Sequence, residues 1–331
     1  MPKKIRDTDY LAVSARIRAM ETGLLTDAQM EQILTAQTDE EAVKLLRENG
    51  YPTMSLESPE TMDAAISAAR EETLHDLQDS VPDENYLDIF RLKYDYHNVK
   101  AVLKAQAVGA DPDRMLVELG RVPAAELKAA LTAGELDRLP ATLAAAAREA
   151  KETLDATRDP QLSDLALDRW QFRDETETAE RSGSEFLQGY VRARIDAANL
   201  RALVRTLRMG KTAAFLRGAL VPGGTVGEAG LLTAAENGGA GLAELYGSTE
   251  LAAAAQAGAD ALGGGPLTEF EKLCDDAVSG YLAGAGLIAF GEAPLVSYLA
   301  AREREYTNVR ILLMGRAAKL APEVIRARLR T

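Results

Sequence analysis

The chain has 331 residues, with 38 Lys and Arg against 51 Asp and Glu and a formal net charge of −13. Hydrophobic residues make up 47%, which excludes wholesale disorder, and the low aromatic share of 5% beside abundant Ala, Leu, Glu and Arg disfavours an all-β or large parallel-sheet protein. A single cysteine, Cys274, excludes an internal disulfide and any multi-cysteine zinc or iron–sulfur site.

The opening MPKKIRDTDY is charged and leads into an amphipathic stretch, so it does not read as a secretory signal. Asp27 precedes AQMEQILTAQ and Asp39 precedes EEAVKLLREN, each an N-cap candidate before apolar positions three and four apart; Gly50 is a stop signal. No proline falls between Pro160 and Pro222, and Ser182-Gly183-Ser184 divides that stretch into two long helical patterns. Pro222 to Gly241 and Gly263 to Pro266 read as loops between helices. The longest uncharged run, 15 residues between Asp276 and Glu292, contains four glycines. It is shorter than the ~18–20 apolar residues of a spanning helix. A soluble protein of a reducing cytoplasm is expected, and its net charge should repel anionic headgroups and nucleic-acid phosphates unless the bases are segregated.

Three segments align on an asparagine: RLKYDYHNVKAVLK from Arg91, RARIDAANLRALVR from Arg192 and AREREYTNVRILLM from Ala301. The asparagines are Asn98, Asn199 and Asn308, spaced by 101 and 109 residues. An acid stands three before each (Asp95, Asp196, Glu305), an aliphatic one after, and a base two after (Lys100, Arg201, Arg310). A partial fourth copy opens the chain at ARIRAMETGLL, with Glu21 in the asparagine column. The period is too long for a solenoid and suggests three similar helical lobes of roughly a hundred residues each. The corresponding division of the single 1–331 domain is into pseudo-repeats at roughly 1–110, 111–215 and 216–331.

Aliphatics one, four and five after each asparagine form a core-facing stripe. Asparagine is a poor mid-helix residue, so its recurrence suggests a specific buried hydrogen bond, and these columns read as structural. Arg91/Asp95 and Arg192/Asp196 are also spaced for i,i+4 ion pairs. Charge is segregated along the chain: windows 3–20, 91–104, 192–217 and 302–331 carry 24 bases and 7 acids, and the remainder has a balance of −30. A basic inner surface with an acidic exterior follows as one reading, and solvated helix faces as the other.

Catalytic motifs fail on context. Gly210-Lys211-Thr212 lacks the first P-loop glycine, which would fall at Arg205, and lacks a preceding strand. Gly284 to Ala289 matches the dinucleotide fingerprint formally, but reads as small residues in a packed helix. Asp275-Asp276 is an incomplete metal motif, and His75 and His97 stand alone. No catalytic, cofactor or metal residue is assigned.

The asparagine-centred segments resemble the signature helices of the C subunit of V-type (archaeal/vacuolar-type) ATPases, the equivalent of the d subunit in eukaryotes, and ARIRAMETGLL is similar to that family's N-terminal segment. The resemblance covers essentially the whole chain and implies an all-α, funnel-shaped body of three lobes around a pseudo-threefold axis. It further implies a non-catalytic rotor component without cofactor, coupling the central shaft of subunits D and F to the membrane proteolipid ring on the cytoplasmic face. With so acidic a remainder, attachment is expected through proteins and not through a direct lipid anchor, and no nucleic-acid partner is expected. Arg194, Arg201 and Arg205 are the candidate shaft contacts. The competing readings are a stand-alone helical scaffold whose basic axis binds an acidic partner, and a metal-dependent transferase using Asp275 and Asp276.

Overall fold

The computed structural model describes residues 7–56 and 58–330, of which the helical share is 74%, with no strand among the described residues. In chain order the helices are α1 (Leu11–Glu21), α2 (Asp27–Thr35), α3 (Asp39–Glu48), α4 (Pro59–Gln78), α5 (Asn85–Val108), α6 (Ala124–Ala133), α7 (Ala141–Thr157) and α8 (Pro160–Ser182). They continue as α9 (Glu185–Arg208), α10 (Ala213–Ala219), α11 (Glu228–Glu236), α12 (Leu242–Leu245), α13 (Ala252–Leu262), α14 (Leu267–Ala283), α15 (Glu292–Ala317) and α16 (Pro322–Arg326). None is long and apolar enough to cross a membrane.

Local chemistry sets the boundaries. α2 and α3 begin at Asp27 and Asp39, but their caps are the threonines one residue earlier. Thr26 forms a reciprocal capping box with Gln29, and the Thr38 hydroxyl accepts the Glu41 amide. α4 and α8 open alike, on a capping Ser58 or Asp159 followed by proline at the first helical position, where the missing N–H costs nothing. Gly183 takes the left-handed conformation after α8, and Ser184 caps α9. Two sequence expectations need correction. The stretch from Pro222 to Gly241 contains α11, because Leu231, Leu232, Ala234 and Ala235 bury one face. Gly284–Leu287 is a single 3₁₀ turn, too short to be a packed helix, and a loop follows it. Lys3, Lys4 and Arg6 of the first basic window, and Thr331 of the last, lie outside the described residues.

The helices pack as two compact units: Asn85–Ser248, and the flanking segments up to Glu84 and from Thr249 onward. In the contiguous unit, Leu92, Val99, Val102 and Leu103 of α5 meet Leu127 and Leu131 of α6, Leu143 and Ala147 of α7, and Leu167 of α8. α5 and α8 run antiparallel, since Tyr96 meets Trp170, Lys100 meets Asp168 and Lys104 meets Asp164. In the discontinuous unit, Val309, Leu312 and Leu313 of α15 pack with Met30 and Ile33 of α2, Leu46 of α3, and Met62 and Ile66 of α4. Each fully buried Leu or Val contributes ~1.5–3 kcal/mol relative to exposure, so these stripes hold α15 to helices more than two hundred residues away.

The three asparagine-bearing helices, α5, α9 and α15, end identically. Eleven residues after the asparagine the backbone turns left-handed, at Gly109 (φ 67°), Gly210 (φ 66°) and Lys319 (φ 54°). The next amide returns to the carbonyl five residues earlier: Ala110 to Ala105 (2.8 Å), Lys211 to Thr206 (3.0 Å) and Leu320 to Gly315 (2.9 Å).

Candidate functional site

Each repeated asparagine is buried and forms two hydrogen bonds with one backbone residue. Asn98 Nδ2 donates to the Val117 carbonyl (2.8 Å) while Val117 N–H donates to Asn98 Oδ1 (2.9 Å). Asn199 does the same with Val221 (2.8 Å both ways), and Asn308 with Arg330 (2.9 and 2.8 Å). A carboxamide alone among short side chains offers a donor and an acceptor side by side, so it pairs with extended backbone as a neighbouring strand would. Each clamp thus satisfies a peptide outside the helices, buried at Val221 and part-buried at Val117 and Arg330.

The acid three residues earlier fastens the same loop further on. Asp95 Oδ1 accepts the Val122 amide (3.1 Å) and Oδ2 accepts Arg121 Nε (2.8 Å). Asp196 Oδ1 accepts the Val226 amide (3.2 Å), and its Oδ2 accepts the Thr225 hydroxyl. Both buried carboxylates are thus engaged by donors of their loop. Glycine is required between the two fastenings: a Cβ on Gly120 would lie 2.2 Å from Asp95 Oδ1, and one on Gly224 2.3 Å from Asp196 Oδ1. The loops VELGRV (117–122) and VPGGTV (221–226) therefore share a V-x-x-G-x-V pattern that hydrophobic periodicity does not detect.

In the third copy the two fastenings fall on different segments: Asn308 holds Arg330, after its own helix, whereas the acid reaches the opening of the chain. Glu305, at the acid position, accepts the Leu25 amide at 2.7 Å, the Tyr51 hydroxyl at 2.7 Å and Arg302 Nη1 at 2.6 Å. Within METGLL (20–25), Leu25 supplies the amide that the acid holds, but a Cβ on Gly23 would meet only the Met20 carbonyl at 3.3 Å, so the close glycine–carboxylate approach is not repeated. The opening segment is helical through Glu21, in α1, and then supplies the Leu25 amide; Glu21, in the asparagine column, spends its carboxylate on Arg18 (2.9 and 3.0 Å).

Aromatic and charged columns tie these helices to their neighbours. Tyr96 donates to the Trp170 carbonyl (3.1 Å) and to Asp174 (3.3 Å); Tyr306 reaches the Ala69 carbonyl (2.9 Å) and Thr73 (2.8 Å). Arg121 bridges Asp95 and Asp174, both at 2.8 Å. Burial pushes the Asp95 carboxyl up despite Arg121, and pushes the Tyr51 hydroxyl up with help from the Glu305 charge, so that the phenol stays a donor. In the base column Lys100 pairs with Asp168 of α8, and Arg310 with Asp63 of α4 at 2.7 Å. Lys104–Asp164, Arg316–Asp39, Arg326–Glu31 and Arg330–Asp275 follow the same rule. Bases segregated in sequence thus meet acids on adjacent helices.

Of the arginines singled out on α9, Arg194 is half-buried. It donates to Glu175 at 2.5 Å and stacks over the Phe172 and Tyr190 rings at 5.5 and 5.8 Å. Arg201 is half-buried and Arg205 exposed. Asp275 of the transferase reading is engaged by Arg330, and His97 Nε2 lies 2.9 Å from the Met115 carbonyl. Among the described residues no group of three or more His, Cys, Asp or Glu is placed to hold a metal.

Among the described residues the body is all-helical, and its buried polar residues fasten its own loops. The chain belongs to the ATP synthase (C/AC39) subunit family, whose model matches residues 13–328. It is 24% identical over 328 residues to the V-type sodium ATPase C subunit of Enterococcus hirae, a match spanning 97% of this chain and 98% of that one. The A-type ATP synthase C subunit of Methanocaldococcus jannaschii is 25% identical over 342 residues, spanning 96% of this chain and 85% of its own. That of Thermococcus kodakarensis is 26% identical over 231 residues, spanning 66% and 63%.

Proposed function

We propose that this chain is a non-catalytic rotor component of a V-type or A-type ATPase. It would join the central shaft of subunits D and F to the proteolipid ring, peripherally and on the cytoplasmic face of the membrane. The family match over residues 13–328 carries this reading. The proposed body has three lobes around a pseudo-threefold axis in a funnel, the pseudo-repeats falling at roughly 1–110, 111–215 and 216–331. A torque-transmitting part must be stiff. Loops fastened through Asp95, Asn98, Asp196, Asn199, Glu305 and Asn308 support that role, and Lys100 and Arg310 brace the helices laterally. Arg194, Arg201 and Arg205 are the proposed shaft contacts.

The test compares ATP hydrolysis by the soluble catalytic head, with and without this chain, and ion pumping by the assembled complex. Pumping should be lost on its removal while hydrolysis persists; pumping that survives, or hydrolysis by the isolated chain, overturns the reading. Reversing charge at Arg201 and Arg205 should weaken shaft docking and lessen its salt sensitivity.

A further inference from the structure

Two asparagines of the chain precede glycine, Asn49 and Asn237, each in a Glu-Asn-Gly triplet; the others precede Tyr, Val or Leu. A glycine after asparagine leaves its amide nitrogen free of side-chain hindrance toward the carboxamide carbon. The two sites share one main-chain geometry. Asn49 ends α3 with φ −101° and ψ 21°, and Asn237 ends α11 with φ −92° and ψ 18°. Gly50 and Gly238 are both left-handed, and each donates to the carbonyl three residues earlier at 3.1 Å.

Their surroundings differ. Asn49 is half-buried; its Oδ1 accepts from Gln29 Nε2 at 2.6 Å and its Nδ2 donates to the Leu45 carbonyl at 2.8 Å. The residue after Gly50 is Tyr51, which is 3% exposed and donates its hydroxyl to Glu305. Asn237 is exposed, and its Nδ2 donates to the Thr233 carbonyl at 3.0 Å. The residue after Gly238 is Gly239, with no side chain to anchor the turn. For a glycine amide to reach the carboxamide carbon, it must leave its carbonyl and the last helical turn must open. At Asn49 that opening also breaks the Gln29 bond and unseats Tyr51. Among the described residues Asn237 has no counterpart of either anchor, so its turn opens at lower cost.

We propose that Asn237 is a modification site, deamidating spontaneously through a cyclic imide with solvent water as co-reactant, while the fold protects Asn49. Gly238 N forms a bond to Asn237 Cγ, the Cγ–Nδ2 bond breaks, and Nδ2 leaves as ammonia with the proton of the Gly238 amide. Water then opens the imide at one of its two carbonyls, giving aspartate or isoaspartate. Either product removes the donor to Thr233 and sets a negative charge at the C-terminal end of α11, where the helix dipole disfavours it. The test incubates the full chain in mildly alkaline buffer and follows both sites by peptide mass spectrometry. In the native chain, aspartate and isoaspartate at position 237 should accumulate severalfold faster than at position 49. In urea, where neither helix survives, the two identical triplets should react at closely similar rates. Equal native rates, a native chain unreacted at position 237, or a rate ratio unchanged in urea overturns the proposal.

Discussion

Gly120 lies against the Asp95 carboxylate so closely that a Cβ would stand 2.2 Å from Oδ1, and Gly224 repeats the approach to Asp196 at 2.3 Å. The carboxylate occupies the space a side chain would fill, and it does so because the same oxygen must reach the amide two residues later. Gly224→Ala should therefore cost about 1–3 kcal/mol through overpacking, read as a lowered denaturant midpoint. Gly218→Ala is the control: it meets nothing within 4 Å, lies in α10 and should be neutral or slightly stabilising.

Asn199→Leu should destabilise by about 1–3 kcal/mol, because both polar groups of Val221 lose their partner in a buried site. Asn199→Asp should also destabilise, since it places a carboxylate oxygen against the Val221 carbonyl. An unchanged midpoint in urea for either variant would show that the clamp carries no stability.

Lys319 occupies the left-handed position that Gly109 and Gly210 hold in the other two copies. A side chain there is strained, so Lys319→Gly should stabilise by roughly 0.5–1 kcal/mol, while Gly210→Ala should destabilise by a similar amount. Thermal midpoints of the two variants, moving in opposite directions, are the measurement.

Glu31 accepts from Arg326 at 3.0 and 2.5 Å, and this hydrogen bonding holds its carboxyl below the usual range. A depressed carboxylate contributes stability that is present above its unfolded value, near about 4.3, and is lost as pH falls through the folded one. α16 should accordingly loosen from α2 under acid, seen as faster exchange of the Ile325 amide. Glu31→Gln should weaken the contact at neutral pH and abolish its acid step.

The helical class, the three repeated helices and the polar columns on them are all legible from the amino-acid order. Those features are written in short-range spacing: an acid, an asparagine and a base fall at fixed intervals whatever surrounds them. Their partners are not legible in the same way. The loop pattern around Gly120 and Gly224 has no periodicity to detect, because its residues are chosen by contact with a carboxylate and not by a helix face. Charge segregation is visible along the chain, but its meaning depends on which helices are neighbours, and antiparallel packing sets the bases of α5 against the acids of α8. Folding in three dimensions brings the Leu25 amide of METGLL to a helix residue 280 positions away. A hydrogen bond is indifferent to the chain length between its atoms, so only the folded chain reveals that Asn308 holds Arg330 while Glu305 holds Leu25.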